Sequence, residues 1–211
     1  LHLCDRRQRQ MCIRDSCNTT VIIFARSKEK ALKVFPYLEE EEHLEIVLGD
    51  ISEPICYDGD IDYVIHGASP TSSKYFVSHP VETIGAAVDG TRYVLELAKQ
   101  KQVKGVVYLS SLEVYGTPAE DAGMITEKDY GYIEPLSVRS SYSEGKRIVE
   151  CLCASYAKEY DVPVKVARLS QTFGAGVAYD DGRVFAEFAR CAIEGKNIVL
   201  HTEGKTVRTY C

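Results

Sequence analysis

Residues 105–116 read GVVYLSSLEVYG, an apolar run that ends in two serines and a glutamate. Within this stretch, residues 106–110 have the β-branched and aromatic content of a buried strand. In an open parallel sheet, ligands bind beyond the carboxyl ends of the strands. The hydroxyl of Ser111, which directly follows the run, is therefore predicted to face a ligand site.

Similar apolar runs recur along the chain and alternate with helical patterns. The strands that they predict cover residues 21–25, 44–48, 63–66, 106–110 and 164–169, with a further strand at 198–201. Strands that alternate with helices are typical of βαβ units and a parallel sheet. We therefore predict an α/β fold with a doubly wound, Rossmann-like parallel sheet. Because the runs are almost continuously apolar, both faces of the sheet are expected to be covered.

Helical periodicity is clearest after Pro80, where apolar residues recur at steps of three and four. The stripe that we expect to be buried consists of Ile84, Val88, Thr91, Leu95 and Ala98. This spacing places its members on one face of a helix. Similar patterns predict further helices over residues 142–160 and 184–194.

Composition excludes several classes of protein. The 211 residues are 45% hydrophobic and 27% charged, as in an ordinary globular protein, and no apolar run reaches the roughly 18 residues of a membrane span. The net charge of −6 argues against a nucleic-acid surface, which needs clustered Lys and Arg. The eight cysteines show no CxxC spacing, so we expect reduced thiols, no metal site and a cytoplasmic location.

Tyr142 and Lys146 form a YxxxK pair at the start of the helix predicted over 142–160. The chain contains 14 tyrosines, so this spacing can arise by chance and its context decides its meaning. The spacing places both side chains on one helical face. A free tyrosine has a pKa of about 10, and a nearby ammonium favours the phenolate. With Ser111 as an orienting donor, the set predicts a base and a pKa-tuning cation for hydride chemistry on an alcohol.

Five motifs occur in the order found in one known family. They are GDI (49–51), HGASP (66–70), SSLEVYG (110–116), YSEGK (142–146) and RLSQTFG (168–174). From about residue 20 onward the chain resembles the extended short-chain dehydrogenase/reductases of the NAD-dependent epimerase/dehydratase family. The resemblance implies catalytic roles for Ser111, Tyr142 and Lys146, and a homodimer for the complete protein.

The same resemblance implies a bound NAD and the residues around it. The cofactor contacts that it implies are Asp50, Ile51, Ala68, Ser69, Tyr142 and Lys146. The first two would flank the adenine, and the next two would lie beside the ribose and phosphates. Arg26 follows the strand at 21–25, where an NAD enzyme usually carries an acid for the ribose 2'-hydroxyl. An arginine there would suit a 2'-phosphate, so NADP stays an alternative.

The resemblance also implies a division into domains. Residues 1–17, LHLCDRRQRQMCIRDSC, show no periodicity and are interpreted as a non-native leader. Residues 18–170 are expected to form the dinucleotide-binding domain without its first strand and glycine-rich loop. Residues 171–211 are expected to begin a substrate-binding part that is truncated. Because the glycine-rich loop seats the pyrophosphate, we expect this chain alone to bind cofactor weakly and to be inactive.

Within the family, three segments resemble those of the UDP-glucuronate decarboxylases. They read HGASPTSSKYFVSHPVET (66–83), YGYIEPLSVRSSYSEGKR (130–147) and DDGRVFAEF (180–188). This resemblance implies oxidation of UDP-glucuronate at C4, loss of carbon dioxide and re-reduction to UDP-xylose. It further implies a catalytic role for Glu113, and substrate contacts by Gln171, Arg183 and Arg208. Arginine suits the phosphates of such a substrate because its planar fork binds them bidentately.

Three other functions stay open. A sugar-nucleotide 4,6-dehydratase supplies an adjacent Asp-Glu pair for elimination, and this chain has Leu112 and Glu113 there. A 4-epimerase needs only the shared oxidation. A catalytically dead NAD(P)-binding regulatory protein would normally lose the tyrosine or the lysine, and this chain keeps both. The asparagines usual in the family are Ala87 and Gln171 here, which would alter substrate contacts.

Overall fold

The computed structural model describes residues 19–34, 36, 43–70, 72–118, 123–171, 174, 177 and 179–200. The strands in this part of the chain are β1 Val21–Ala25, β2 Leu44–Leu48, β3 Tyr63–His66, β4 Gly105–Ser111 and β5 Val164–Leu169. Its α-helices are α1 Lys28–Val34, α2 Ser73–Ser78, α3 Pro80–Gln100, α4 Ser140–Tyr160 and α5 Val184–Glu194. A 3₁₀ helix, Leu112–Tyr115, directly follows β4.

The chain divides into two compact units. The larger unit is Val47–Leu169, and the smaller unit combines Leu1–Ile46 with Ser170–Cys211. The domain boundaries expected at residues 17 and 170 stay predictions.

Parallel pairing builds the sheet of the larger unit, in the order β3–β4–β5. Tyr63 pairs with Gly105, and Val106 pairs with Val164, so all three strands end at the same edge. Strands β1 and β2 form a separate two-stranded sheet. The α/β class with Rossmann-like parallel strands is confirmed.

Helices α3 and α4 pack together on one face of the β3–β4–β5 sheet. The core beneath them contains Val106 and Tyr108 of β4. Leu95 of α3 and Val149 of α4 are almost completely buried. Complete burial of a side chain of this size contributes about 1.5–3 kcal/mol. This packing fixes α4 against the strand end that carries Ser111.

The opposite face of this sheet corrects one expectation. Ile65 is 73% exposed and Val107 is 36% exposed, although both faces were expected to be covered. The reason is that α3 and α4 both cover the face of Val106 and Tyr108, and the side chains of a strand alternate between faces.

Element positions were predicted closely, with two errors. Strands β1, β2, β3 and β5 and helix α5 match their predicted bounds, while β4 is one residue longer at each end. In α3, Ile84 is 46% exposed and Thr83 is buried, because the Thr83 hydroxyl donates a hydrogen bond to the His79 carbonyl and so tolerates burial.

The second error concerns the strand predicted at 198–201. Residues 198–200 form no strand and are exposed, and the fourth residue lies outside the described residues. Three apolar residues have strand propensity, but a strand also needs a neighbour to pair with. Of the helices in the described ranges, none has the combined length and hydropathy that a membrane span requires.

Candidate active site

The end of β4 turns sharply and brings two polar side chains to the sheet edge. The Ser111 hydroxyl accepts a hydrogen bond from the backbone N–H of Glu113 (3.2 Å) and caps the 3₁₀ helix. Gly116 ends that helix with a φ of 65°, which few residues other than glycine adopt. Ser111 is the last residue of β4 and Glu113 lies just beyond it, so both are at the carboxyl end of the strand, where the sequence predicts Ser111.

Tyr142 lies in the first turn of α4, against α2. Its ring stacks on buried Phe76, with 4.3 Å between ring centroids and 11° between ring planes. Ser111 lies close enough to the Tyr142 hydroxyl to lower the pKa of the phenol. The structure therefore brings the predicted base and the predicted orienting hydroxyl close together.

Lys146 follows one helical turn later and is only 3% exposed. Its ammonium donates a hydrogen bond to the Leu109 carbonyl (2.9 Å). It lies 4.7 Å from the Tyr108 ring centroid and 5.7 Å from that of Tyr142. Burial lowers the pKa of Lys146 to about 8. The Lys146 ammonium is thus buried close to the Tyr142 ring.

Burial is the largest influence on the electrostatics of Tyr142. It raises the pKa of the phenol and outweighs the lowering that Ser111 and Arg139 cause. The Lys146 ammonium donates to the Leu109 carbonyl and lies 5.7 Å from the centroid of the Tyr142 ring. Its effect on the pKa of the phenol stays a prediction.

Glu113 is held by Arg139, which directly precedes α4, and by Ser143 in the first turn of α4. Its Oε1 accepts a hydrogen bond from Arg139 Nη2 (2.8 Å), and its Oε2 accepts one from the Ser143 hydroxyl (2.9 Å). The guanidinium carbon of Arg139 lies 5.1 Å from the centroid of the Phe76 ring. Arg139 and Ser143 flank Tyr142 in sequence, so Glu113 is fixed directly beside the phenol.

Sequence reasoning missed Arg139. The signal was available, since Arg139 lies three residues before Tyr142 and therefore on the same side of the helix start. What the sequence lacked was the long-range partner Glu113. Arg139 lowers the pKa of Tyr142, whereas Glu113 raises it.

Arg139→Gln is expected to shift the pH dependence of turnover. Without the guanidinium the Tyr142 phenolate is less stable, so the phenol pKa rises and less base is present at a given pH. The rising limb of kcat against pH should move to higher pH by about 0.5–1 unit, a size that allows for partial exposure. Arg92→Gln, which removes an exposed cation from α3, is the control. An unchanged limb in Arg139→Gln would contradict the assignment.

Four predicted cofactor residues lie in the larger unit, two after β2 and two after β3. Asp50 Oδ1 accepts hydrogen bonds from the backbone N–H (2.9 Å) and the hydroxyl (2.8 Å) of Ser52. Ile51 lies so close to α3 that a Cβ on Gly90 would be 2.8 Å from its Cγ1. After β3, Ala68 is exposed and Ser69 is half-buried. Their positions beyond strand ends suit a dinucleotide, and their roles stay predictions.

The other predicted contacts belong to the smaller unit. Arg26 is exposed directly after β1, and Gln171 is half-buried. Arg183 precedes α5 and pairs with Asp181, with 3.0 Å from Nε to Oδ1 and 2.6 Å from Nη2 to Oδ2. A phosphate would therefore share Arg183 with a carboxylate. Arg208 lies outside the described residues, and all of these roles stay predictions.

Metal-ligand types do not converge near the site. Within the described ranges no group of three or more His, Cys, Asp or Glu residues is arranged to hold a metal ion. The cysteines in those ranges are free thiols: Cys56, Cys151, Cys153 and Cys191.

A serine at a strand end, close to a tyrosine that is followed one helical turn later by a lysine, is the arrangement of a short-chain dehydrogenase/reductase site. Residues 12–211 match the sequence model of the family described as "NAD dependent epimerase/dehydratase family". The chain belongs to that family.

Curated relatives resemble most of the chain. UDP-glucuronic acid decarboxylase 6 of Arabidopsis thaliana is 34% identical over 167 residues, which is 79% of this chain and 47% of that protein. UDP-glucuronic acid decarboxylase 1 of Xenopus tropicalis is 32% identical over 169 residues, 80% of this chain and 39% of that protein. The chain thus spans less than half the length of these two relatives.

Solved structures show the same fold. The dTDP-glucose 4,6-dehydratase of Bacillus anthracis, in complex with NAD, matches with a TM-score of 0.74 and 22% identity over 95% of this chain and 62% of that one. The UDP-glucuronic acid 4-epimerase of Bacillus cereus, in complex with UDP-glucuronic acid and NAD, matches with a TM-score of 0.74 and 20% identity, covering 95% and 63%. These likenesses support the Rossmann-like α/β architecture.

Proposed function

We propose that the complete protein is an enzyme that modifies a UDP-linked sugar through transient oxidation at C4, and that its reaction is the decarboxylation of UDP-glucuronate to UDP-xylose. One observation carries the choice of reaction: Glu113 is held by Arg139 and Ser143 beside Tyr142. The names of the curated relatives support the same reaction.

The residues at the strand ends fit a bound NAD. An ammonium has three donors, and in the described part of the chain Lys146 uses one, to the Leu109 carbonyl. The others are available for ribose hydroxyls. Asp50 and Ser69, each beyond a strand end, would hold the adenosine side. When bound, NAD would accept a hydride from the sugar and return it. Arg26 keeps NADP as the alternative cofactor.

The proton chemistry belongs to Ser111 and Tyr142. Because Ser111 lies close enough to Tyr142 to lower the pKa of its phenol, both side chains can bind the same sugar hydroxyl. As the C4–H bond breaks, the hydroxyl proton passes to Tyr142, and the C4–O bond becomes a carbonyl. Burial opposes the phenolate, so positive charge beside it must favour the base form. Lys146 supplies one such charge, close to the Tyr142 ring.

Glu113 distinguishes decarboxylation from elimination of water. Elimination across C5 and C6 needs an acid that protonates the leaving hydroxyl next to the base. Leu112 has no proton to give, and both Glu113 oxygens accept hydrogen bonds, one from Arg139 and one from Ser143. A keto group at C4 makes the C6 carboxylate a β-keto acid, which loses carbon dioxide without such an acid. The arrangement therefore favours decarboxylation.

Product analysis tests the proposal. The complete gene product would be incubated with NAD and UDP-glucuronate, and carbon dioxide and UDP-xylose would be measured. Turnover of dTDP-glucose to a 4-keto-6-deoxy sugar, or inversion at C4 without carbon dioxide, would replace decarboxylation by dehydration or epimerisation. Cofactor binding with no turnover of any of these sugars would indicate the regulatory protein.

A further inference from the structure

A partly buried ion pair lies at the end of β5, apart from Ser111 and Tyr142. Arg168 and Glu150 are joined by hydrogen bonds of 2.7 Å (Nη2 to Oε2) and 3.0 Å (Nε to Oε1). Their side chains are 12% and 13% exposed. An ion pair shielded from water adds little net stability, but removing one partner leaves a charge without its counter-ion. The contacts that the pair makes with other elements therefore decide its role.

The Arg168 guanidinium also holds the segment that follows the 3₁₀ helix. Its carbon lies 4.9 Å from the Tyr115 ring centroid and 5.0 Å from that of Tyr130. Nη1 donates a hydrogen bond to the Glu127 carbonyl (2.9 Å), and Nη2 donates one to the Tyr130 hydroxyl. The Arg168 guanidinium thus connects β5 to the end of the 3₁₀ helix. It also connects β5 to the loop that contains Glu127 and Tyr130.

Glu150 connects the same cation to both catalytic elements. Its Oε1 accepts a hydrogen bond from the Ser110 hydroxyl (2.6 Å), one residue before Ser111. Four residues separate Glu150 from Lys146, so the two lie on the same face of α4, one turn apart. The Glu150 charge acts on Lys146 across that turn. The ion pair therefore touches the strand that carries Ser111 and the helix that carries Tyr142.

We propose that Arg168 is a positioning residue: by pairing with Glu150 between the Tyr115 and Tyr130 rings, it fixes the end of β4 against α4 so that Ser111 faces Tyr142. This inference rests on the catalytic roles given under the proposed function. Without Arg168, the Glu150 carboxylate still has Lys146 one turn away on α4, a cation on which its charge already acts. The ammonium would be drawn toward Glu150 and away from the Leu109 carbonyl, and the strand end would lose its tie to β5.

Steady-state kinetics of three variants of the complete gene product test this role. Arg168→Met should lower kcat by on the order of 100-fold, the loss expected from a misplacement of about 1 Å, while KM and NADH affinity change by less than about three-fold. Arg168→Met combined with Glu150→Gln removes both charges and should recover at least about ten-fold of that loss. Lys165→Met removes an exposed cation from the same strand and should match the wild type.

Several outcomes would overturn the inference. An Arg168→Met variant whose KM rises as much as its kcat falls would give Arg168 a role in substrate binding. A double variant no more active than Arg168→Met would show that the unpaired Glu150 carboxylate does not cause the loss of kcat. If Arg168→Met does not fold, the double variant decides, and a double variant that folds but has lost kcat on the order of 100-fold also contradicts the inference.

Amide hydrogen exchange separates this inference from the proposed function. Exchange in residues 110–116 should be faster in Arg168→Met and near the wild-type rate in the double variant, whichever sugar the protein uses. If the wild-type protein turned over no nucleotide sugar, the proposed function would be refuted. Hydrogen exchange in residues 110–116 would then be the sole test of whether Arg168 orders the end of β4. Unchanged exchange in Arg168→Met would refute the positioning role.

Discussion

Tyr142→Phe is expected to lower kcat for nucleotide-sugar oxidation by on the order of 1,000-fold, the size of effect that a positioned acid–base group contributes. The substitution keeps the ring and its stacking on Phe76, where the ring centroids are 4.3 Å apart. It removes only the hydroxyl, the group whose pKa Ser111 lowers. KM and cofactor affinity should therefore stay near their wild-type values, and the loss should be seen in single-turnover NADH formation.

The matched control for this variant is Tyr160→Phe. Tyr160 ends the same helix and is 41% exposed, so it tests the loss of a tyrosine hydroxyl from α4 away from the site. Its kcat should equal that of the wild type. Wild-type turnover by the Tyr142→Phe protein would mean that another group takes the proton.

Gly131→Ala is expected to lower the free energy of unfolding by about 3 kcal/mol, the upper end of the usual cost of overpacking. A Cβ on Gly131 would lie 2.1 Å from the Thr117 carbonyl oxygen and 2.8 Å from the Pro118 nitrogen. Both are backbone atoms, so no side-chain rotation relieves the contact. Thr117 is also paired with Tyr132 by hydrogen bonds of 2.9 and 3.1 Å, which prevents the two segments from separating. Urea unfolding of the complete protein measures the loss.

Gly123→Ala provides the comparison within the same loop region. A Cβ on Gly123 has no atom within 4 Å among the described residues, so its unfolding free energy should change by less than about 0.5 kcal/mol. Equal unfolding free energies for the two alanine variants would contradict this prediction. They would show that the backbone around Gly131 can move to accommodate a Cβ without loss of stability.

The strands could be predicted because their local pattern and their tertiary role agree. In β4 the apolar run is the buried strand, and the serines that follow it lie where polar residues at a strand end are expected. The YxxxK spacing similarly places Tyr142 and Lys146 on one face of α4. These features depend on residues close together in sequence, and their catalytic roles stay predictions.

Features that depend on distant partners could not be predicted. The sequence has 25 Lys and Arg residues, and nothing local indicates that Arg139 pairs with Glu113, 26 positions away. The raised pKa of Tyr142 has the same origin, since burial is its main cause and the ring of Phe76, 66 positions earlier, stacks on the phenol. The exposure of Ile65 depends on which sheet face the helices cover, and a strand pattern leaves that choice open.

The ion pair between Arg139 and Glu113 has a consequence for how the sequence can evolve. A lineage that exchanges this glutamate for a neutral residue keeps a guanidinium above the Phe76 ring with its carboxylate partner gone. Replacement of Arg139 then becomes favourable only after Glu113 has been replaced, so the two positions form an epistatic pair. Across diverging descendants of this sequence, positions 113 and 139 are therefore expected to covary, while 142 and 146 can remain constant.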